Sequence, residues 1–276
     1  MCKISYRLLV SSCVAVLLLM GSVACTPGNN SPENAIDVVM QPIDKNILIA
    51  RPLDLEYVDN WLLWQDHYES YYYCGYKLKS KNFVRFAKVG KGAGEFANWP
   101  QGAITSFGFG IFDAIQDNYY AWELEKISID STYFPSRSVS LKDSLGVTFQ
   151  VIQRPDSSFI SKGPNPHGLF SFFSKEGELL GHSGEYPPKR KNISNDLHAL
   201  ACLNSTYSYP PSKDKIVVGY IFSGIFDVFQ LKDSSAIREW GVNKFPFEYE
   251  VNNGRVRMTL DSKYGSFDIK ATDKFI

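Results

Sequence analysis

The chain has 276 residues, with 29 Lys+Arg against 29 Asp+Glu, 44% hydrophobic and 14% aromatic. That balance gives no electrostatic case for binding nucleic acid or an anionic membrane surface. It is too polar overall for a membrane-embedded protein and too aromatic for a disordered one, and the length suits one large all-β domain or two modest ones.

At the N-terminus, Lys3 and Arg7 form a short basic region ahead of a 13-residue apolar run from Leu8 to Met20. This is the pattern of a secretory signal, and the run is too short to cross a bilayer comfortably as a helix. Residues 1–24 are therefore expected to be a removable signal peptide, leaving 27 basic against 29 acidic residues in the remaining 252. Small residues from Gly21 to Ala24 lead to Cys25. The stretch resembles a bacterial lipobox, in which the cysteine becomes the first residue and its sulfur takes a diacylglycerol. Ser22 stands where Leu is usual, which keeps cleavage nearby by signal peptidase I open as the alternative. Residues 25–43 read as the lipidated cysteine and a polar tether, rich in Pro, Gly and Asn between Thr26 and Asn34. With Cys2 and Cys13 gone, Cys74 and Cys202 remain, both in apolar, strand-like settings that suit buried free thiols.

From residue 44 to 276 helical periodicity is almost absent. Short runs rich in Val, Ile, Tyr, Phe and Trp recur between Gly, Pro, Asn, Asp and Ser clusters, which is the all-β pattern. In chain order the candidate strands are Leu55–Trp64, Tyr71–Leu78, Val84–Val89, Gly110–Ile115, Tyr119–Leu124, Val147–Ile152, Leu169–Ser174, Ile216–Phe222, Ile225–Leu231 and Arg255–Leu260. Gln116–Asn118, Lys175–Gly177 and Asn252–Gly254 supply turn residues between them. No composition shift divides this stretch.

One feature repeats. After a strand, Gly90, Gly92, Gly94, Glu95 and Phe96 are answered by Gly181, Gly184, Glu185 and Tyr186, with Pro100 and Pro187 following. Gly94 and Gly184 are 90 residues apart, or two units of about 45, the span of a four-stranded propeller blade. A third echo runs from Glu239 to Pro246. A strand followed by Val-Gly-x-Gly-x-Gly-Glu-Phe, in an exported chain with aromatic strands, resembles the TolB-like six-bladed β-propeller lipoproteins of the Bacteroidetes. The family motif usually has Pro where Ala93 stands. The resemblance implies an all-β propeller of four-stranded blades and an envelope location, and it implies no catalytic residue. At about 45 residues per blade, about five blades are expected, with the chain stopping in mid-strand at Ile276 and the C-terminal part of a six-bladed ring missing. The alternative is a complete five-bladed ring closed by a strand near Asp44–Ile49.

The glycine runs also invite other chemistry. Gly90 to Gly94 could offer backbone N–H groups to phosphate, but the spacing fits neither the dinucleotide fingerprint nor a Walker motif. The structural reading has these glycines permitting tight turns between blades, with Glu95 and Glu185 accepting backbone N–H bonds. Gly181, His182, Ser183 and Gly184 fall one residue short of a nucleophile elbow. The four histidines, His67, His167, His182 and His198, lack metal-ligand spacing. Around Trp64, Gln65, Asp66 and His67 a strand-end turn is expected rather than a proton shuttle. Tyr71–Tyr73 and Phe107–Phe112, with Trp61, Trp64, Trp99 and Trp122, are expected to pack between blades rather than stack on sugars.

The functional expectation is a lipid-anchored envelope module, at the outer membrane, that binds or scaffolds a protein or glycan. No cofactor, metal site or nucleic-acid partner is expected, and the membrane is reached through Cys25 alone. The rival readings are a hydrolase or lyase with its site at the channel mouth, and a truncated inactive paralogue. Both the periplasmic and the surface face stay open, and the tether's lack of the acidic run that often accompanies surface export points toward the periplasmic leaflet.

Overall fold

In a computed structural model the description covers residues 47–257, apart from 48, 69, 93, 98–99, 106–107, 128–133, 143–147, 190, 204 and 209–213, together with 263, 265, 269 and 271. Side chains of His67 and Tyr68 are likewise outside it. Leu48–Ile276 form one compact unit, distinct from Met1–Ile47. The signal peptide, Cys25, the tether and the chain end at 272–276 thus lie outside the described residues, as does most of the strand expected near Asp44–Ile49.

The strands assemble in chain order into antiparallel sheets. The first holds β1 (Leu53–Val58), β2 (Trp61–Tyr68), β3 (Tyr71–Lys77) and β4 (Asn82–Lys88). The second holds β5 (Gln101–Thr105), β6 (Gly108–Asp113), β7 (Asn118–Trp122) and β8 (Arg137–Ser140). The third is β9 (Gln150–Gln153), β10 (Phe159–Lys162), β11 (Phe170–Phe173) and β12 (Leu179–Ser183). The fourth is β13 (Ser205–Ser208), β14 (Lys215–Tyr220), β15 (Ile225–Lys232) and β16 (Ser235–Asn243), and β17 (Glu250–Asn252) pairs with β18 (Arg255–Arg257) as a fifth, two-stranded sheet. Five sheets agree with the expectation of about five blades.

Neighbouring sheets meet face to face, because the two-residue period of a strand sends successive side chains to opposite neighbours. On β7, Tyr120 and Trp122 pack toward the first sheet, while Tyr119 and Ala121 pack toward the third. Each interface carries an edge-to-face aromatic pair: Tyr73 with Phe109 at 5.1 Å, Tyr119 with Phe159 at 4.9 Å, and Phe170 with Phe229 at 5.3 Å. Such pairs contribute about 0.5–1.5 kcal/mol beyond their burial. Trp61, Trp64 and Trp122 are all buried, as expected of aromatics that pack inside the fold. Phe107 and Trp99 lie outside the described residues.

Several strand boundaries differ from expectation. Leu55–Trp64 is two strands, because Asp59 and Asn60 both take positive φ, 45° and 72°, in a tight hairpin turn. Leu124, expected to end a strand, opens α1 (Leu124–Ile127). Cys202, placed in a strand-like setting, ends α2 (Asn195–Cys202), whose Ser194 side chain accepts the Leu197 N–H at the N-cap. Both Cys74 and Cys202 are buried and free, as expected, and burial pushes the Cys74 thiol up to about 12.

On β6, Gly110 has no room for a Cβ, since the Tyr119 ring tip stands where one would project. Gly110→Ala should therefore cost about 2–3 kcal/mol in urea unfolding, and clearly less in a Tyr119→Leu background. Simply additive costs would place the clash elsewhere.

Candidate functional site: the loop-bearing end

Strands alternate in direction, so connections between second and third strands fall at the same end as connections between sheets. This end carries the repeated glycine motifs. Contacts across it confirm the grouping: the Gln116 side chain donates to the Glu95 carbonyl at 3.1 Å, and the Tyr186 hydroxyl donates to the carbonyls of Asn165 and Gly168 at 2.7 and 3.2 Å.

The first motif follows β4. Phe96 turns back beside the strand end, its N–H donating to Lys88 O and its carbonyl accepting from Gly90 N–H, both at 2.9 Å. The Phe96 ring is fully buried against Tyr120 and Trp122. Glu95 then curls into its own loop, accepting the Gly92 N–H at 2.9 Å and the Lys88 ammonium at 2.7 Å. Those two donors, Lys88 first, hold its carboxyl below the usual range. The carboxylate occupies the space a Gly90 side chain would need. The anion cradle suggested by the glycine run is thus filled by a carboxylate of the same loop.

The second motif follows β12, two sheets further on. Gly184, like Gly94, has positive φ (90° and 71°). Other details differ. Glu185 is exposed, and among the described residues no backbone N–H reaches it, against the expectation that it matches Glu95. Tyr186 is half-buried and works through its hydroxyl, where Phe96 works through its buried ring. Gly181 is inside β12 rather than in the turn. The third echo is different again, since Glu239 to Asn243 lie within β16.

Three further groups converge here without a local motif to announce them. Asn165, Ser171 and His182 form a cluster on the third sheet. Asn165 accepts the His167 N–H through Oδ1 at 2.9 Å, which directs its Nδ2 donor at His182 Nδ1, 2.8 Å away. The Ser171 hydroxyl is 3.0 Å from the same Nδ1. Asn165 can only donate there, so it takes the imidazole lone pair and weakens any use of His182 as a base for Ser171. Ser183 exchanges bonds with the backbone of Ala236 on the next sheet. Asp66 accepts the N–H groups of Ala50 and Arg51 at 3.0 and 2.8 Å and lies in β2 itself, not in a strand-end turn.

Lys162 is the second group. It ends β10 with 2% exposure, and its ammonium donates to Ser205 O at 2.5 Å and Ser205 Oγ at 2.6 Å. Ser205 Oγ in turn donates to the Cys202 carbonyl at 2.7 Å, tying β10 to the end of α2. Both partners are neutral, and burial pushes the amine down to about 7. The third group is His198 on α2, bonded at both ring nitrogens. Burial also raises the Cys202 thiol. Among the described residues no three His, Cys, Asp or Glu side chains are placed to hold a metal ion, and no helix is long and apolar enough to cross a membrane.

A family model described as TolB-like 6-blade propeller-like matches residues 33–276. The chain belongs to this family. Among solved structures it is similar to an exported protein of Bacteroides fragilis, at 14% identity and TM-score 0.44, covering 71% of this chain and 51% of that one. Hsv2 of Kluyveromyces lactis gives 10% identity and TM-score 0.40, with 68% and 61% covered. A Bacteroides fragilis protein whose name describes it as a 6-phosphogluconolactonase gives 10% and 0.41, with 70% and 55% covered. The chain thus spans between half and two thirds of each of these structures. No curated protein matches.

Two outcomes follow. Gly94→Val should lower stability by about 1–3 kcal/mol, since its Cβ would strain a positive φ and press on Phe134 and Pro135; an unchanged melting temperature would contradict this. For Lys162, the unfolded chain keeps its proton to about pH 10.5 while the fold releases it near 7, so stability should rise from pH 7 to 10, by at most about 1.4 kcal/mol per unit. Urea midpoints at pH 7.5 and 9.5 should show the rise, and Lys162→Met should flatten it.

Proposed function

We propose that the chain is a lipid-anchored envelope module that binds a protein or glycan through the loop-bearing end of its propeller. The observation that carries this reading is a division of labour at that end. Glu95, Lys162, His182 and His198 are engaged by bonds within the chain, which stiffen the loops. Ile115, Phe149 and Leu200, from three different connections at the same end, are 61%, 40% and 39% exposed. Stiff loops presenting apolar side chains bind at a low entropic cost. The hydrolase reading gains no support from Ser171, whose nearest base already accepts from Asn165.

Attachment at Cys25 rests on the lipobox resemblance and the polar tether, and export to the envelope on the signal pattern. Labelling cells with a fatty-acid analogue should mark the wild type and leave Cys25→Ala unmarked; equal labelling would end that part of the reading. For recognition, the intact chain should be screened on a glycan array and a peptide display library. Ile115→Ser with Phe149→Ser should weaken any ligand found by about tenfold or more, while Ile237→Ser on the outer strand β16 should leave it unchanged. Equal loss in both would contradict binding at this end.

A further inference from the structure

Successive four-stranded sheets pack in one sense, each offering its forward face to the backward face of the next. Phe86 of the first sheet meets Trp122 of the second, Tyr119 of the second meets Phe159 of the third, and Phe170 of the third meets Phe229 of the fourth. Two faces are left over by this scheme: the backward face of the first sheet and the forward face of the fourth.

Both carry apolar side chains in water. On β1, Val58 lies opposite Trp61 and packs toward the second sheet, so Tyr57 and Leu55 turn to the backward face. Tyr57 is 63% exposed, and Leu55 equally so. On β16, Trp240 lies opposite Val228 and Val242 opposite Phe226. Val228 and Phe226 belong to the forward-side cluster, together with Val217 and Ile269. Ile269 and Ala271 cover only the inner part of that face, for the Ala271 N–H donates to Ser208 Oγ on β13 at 2.7 Å. β16 is three strands away at the opposite edge, and there Ile237, Trp240 and Val242 are exposed. The fifth sheet does not cover them, because Val251 and Val256 pack on the cluster shared by the third and fourth sheets. Trp61, Trp64 and Trp122 are buried, whereas Trp240 is 46% exposed.

We propose that two copies of the chain associate head to tail, the forward face of the fourth sheet in each copy packing on the backward face of the first sheet in the other. These faces are the two halves of the contact that the fold makes between every pair of successive four-stranded sheets. They do not meet within one chain, since Tyr57 and Trp240 both stand open to water. Two copies satisfy both faces at once about a two-fold axis, and the association closes instead of running on into a fibre. The pair holds twice the four four-stranded sheets of one chain, which stays within the range of about four to eight blades at which propellers close.

The chemistry of the patch suits a protein partner of this kind. Trp and Tyr are the side chains that most often anchor such contacts. Charge does not oppose the approach, because the two charged residues beside Trp240 are already paired, Arg238 with Asp227 and Glu239 with Lys215.

Sedimentation velocity of the intact chain at micromolar concentration tests this. The wild type should run at twice the monomer mass. Trp240→Ser and Tyr57→Ser should each weaken dimerisation by about thirtyfold or more, the scale of an interface anchor. An equimolar mixture of these two variants should regain dimer, because one of its two contacts pairs wild-type faces. A wild type that is monomeric, a dimer that tolerates Tyr57→Ser, or a mixture without recovery would overturn the head-to-tail contact. Should either variant fail to fold, Ile237→Ser and Leu55→Ser take their places in the same mixing test.

Discussion

Each four-stranded sheet has two apolar faces, and neither can stay in water. Here that constraint is met by sharing side chains between neighbours: β7 sends Tyr120 and Trp122 one way and Tyr119 the other, and each contact between successive four-stranded sheets is closed by an edge-to-face aromatic pair. The aromatic content of the chain is thus structural before it is anything else. It also sets the geometry of the loop-bearing end, since sheets locked face to face bring the connections between second and third strands into one cluster with the connections between sheets.

At that end, several polar groups hold the loops. A glycine-rich turn that could cradle a phosphate instead cradles Glu95. An amine with only neutral partners, Lys162, ties β10 to the end of α2 through Ser205. A buried ionisable group such as Lys162 costs stability unless it is well bonded, and it is placed where it joins segments 43 residues apart. Beside them, Ile115, Phe149 and Leu200 from three connections are exposed at the same end.

The fold was legible because its signals are local. Val-, Tyr- and Phe-rich runs mark β3, β4, β6, β7, β11, β14 and β15, and the glycine motifs fall where the first and third sheets hand over to the next. Among the strands that escaped, β5, β8 and β16 bury little and carry polar residues, while β10 is buried throughout but is only four residues long and ends in Ser161 and Lys162. The Asp59–Asn60 turn was also missed, inside what reads as one apolar run. Helix α2 was hidden because Leu200 to Leu203 looks like a short strand, and only the Ser194 cap marks it. The site was less legible for a plain reason: Lys162 and Ser205 are 43 residues apart, and His198 and Tyr249 are 51 apart. No spacing rule connects such pairs. The likeness of Glu95 to Glu185 misled because identical letters sit in different settings, Glu95 bonded within its loop and Glu185 exposed.

Shared aromatics lock neighbouring sheets together, and a double-mutant cycle across one interface tests this most directly. Tyr119 on β7 and Phe159 on β10 belong to different sheets, with ring centroids 4.9 Å apart. Tyr119→Leu, Phe159→Leu and the double variant, compared by urea unfolding, should show a coupling of about 0.5–1.5 kcal/mol. A coupling indistinguishable from zero would mean that the two rings do not meet, and that the sheets are not packed face to face as described.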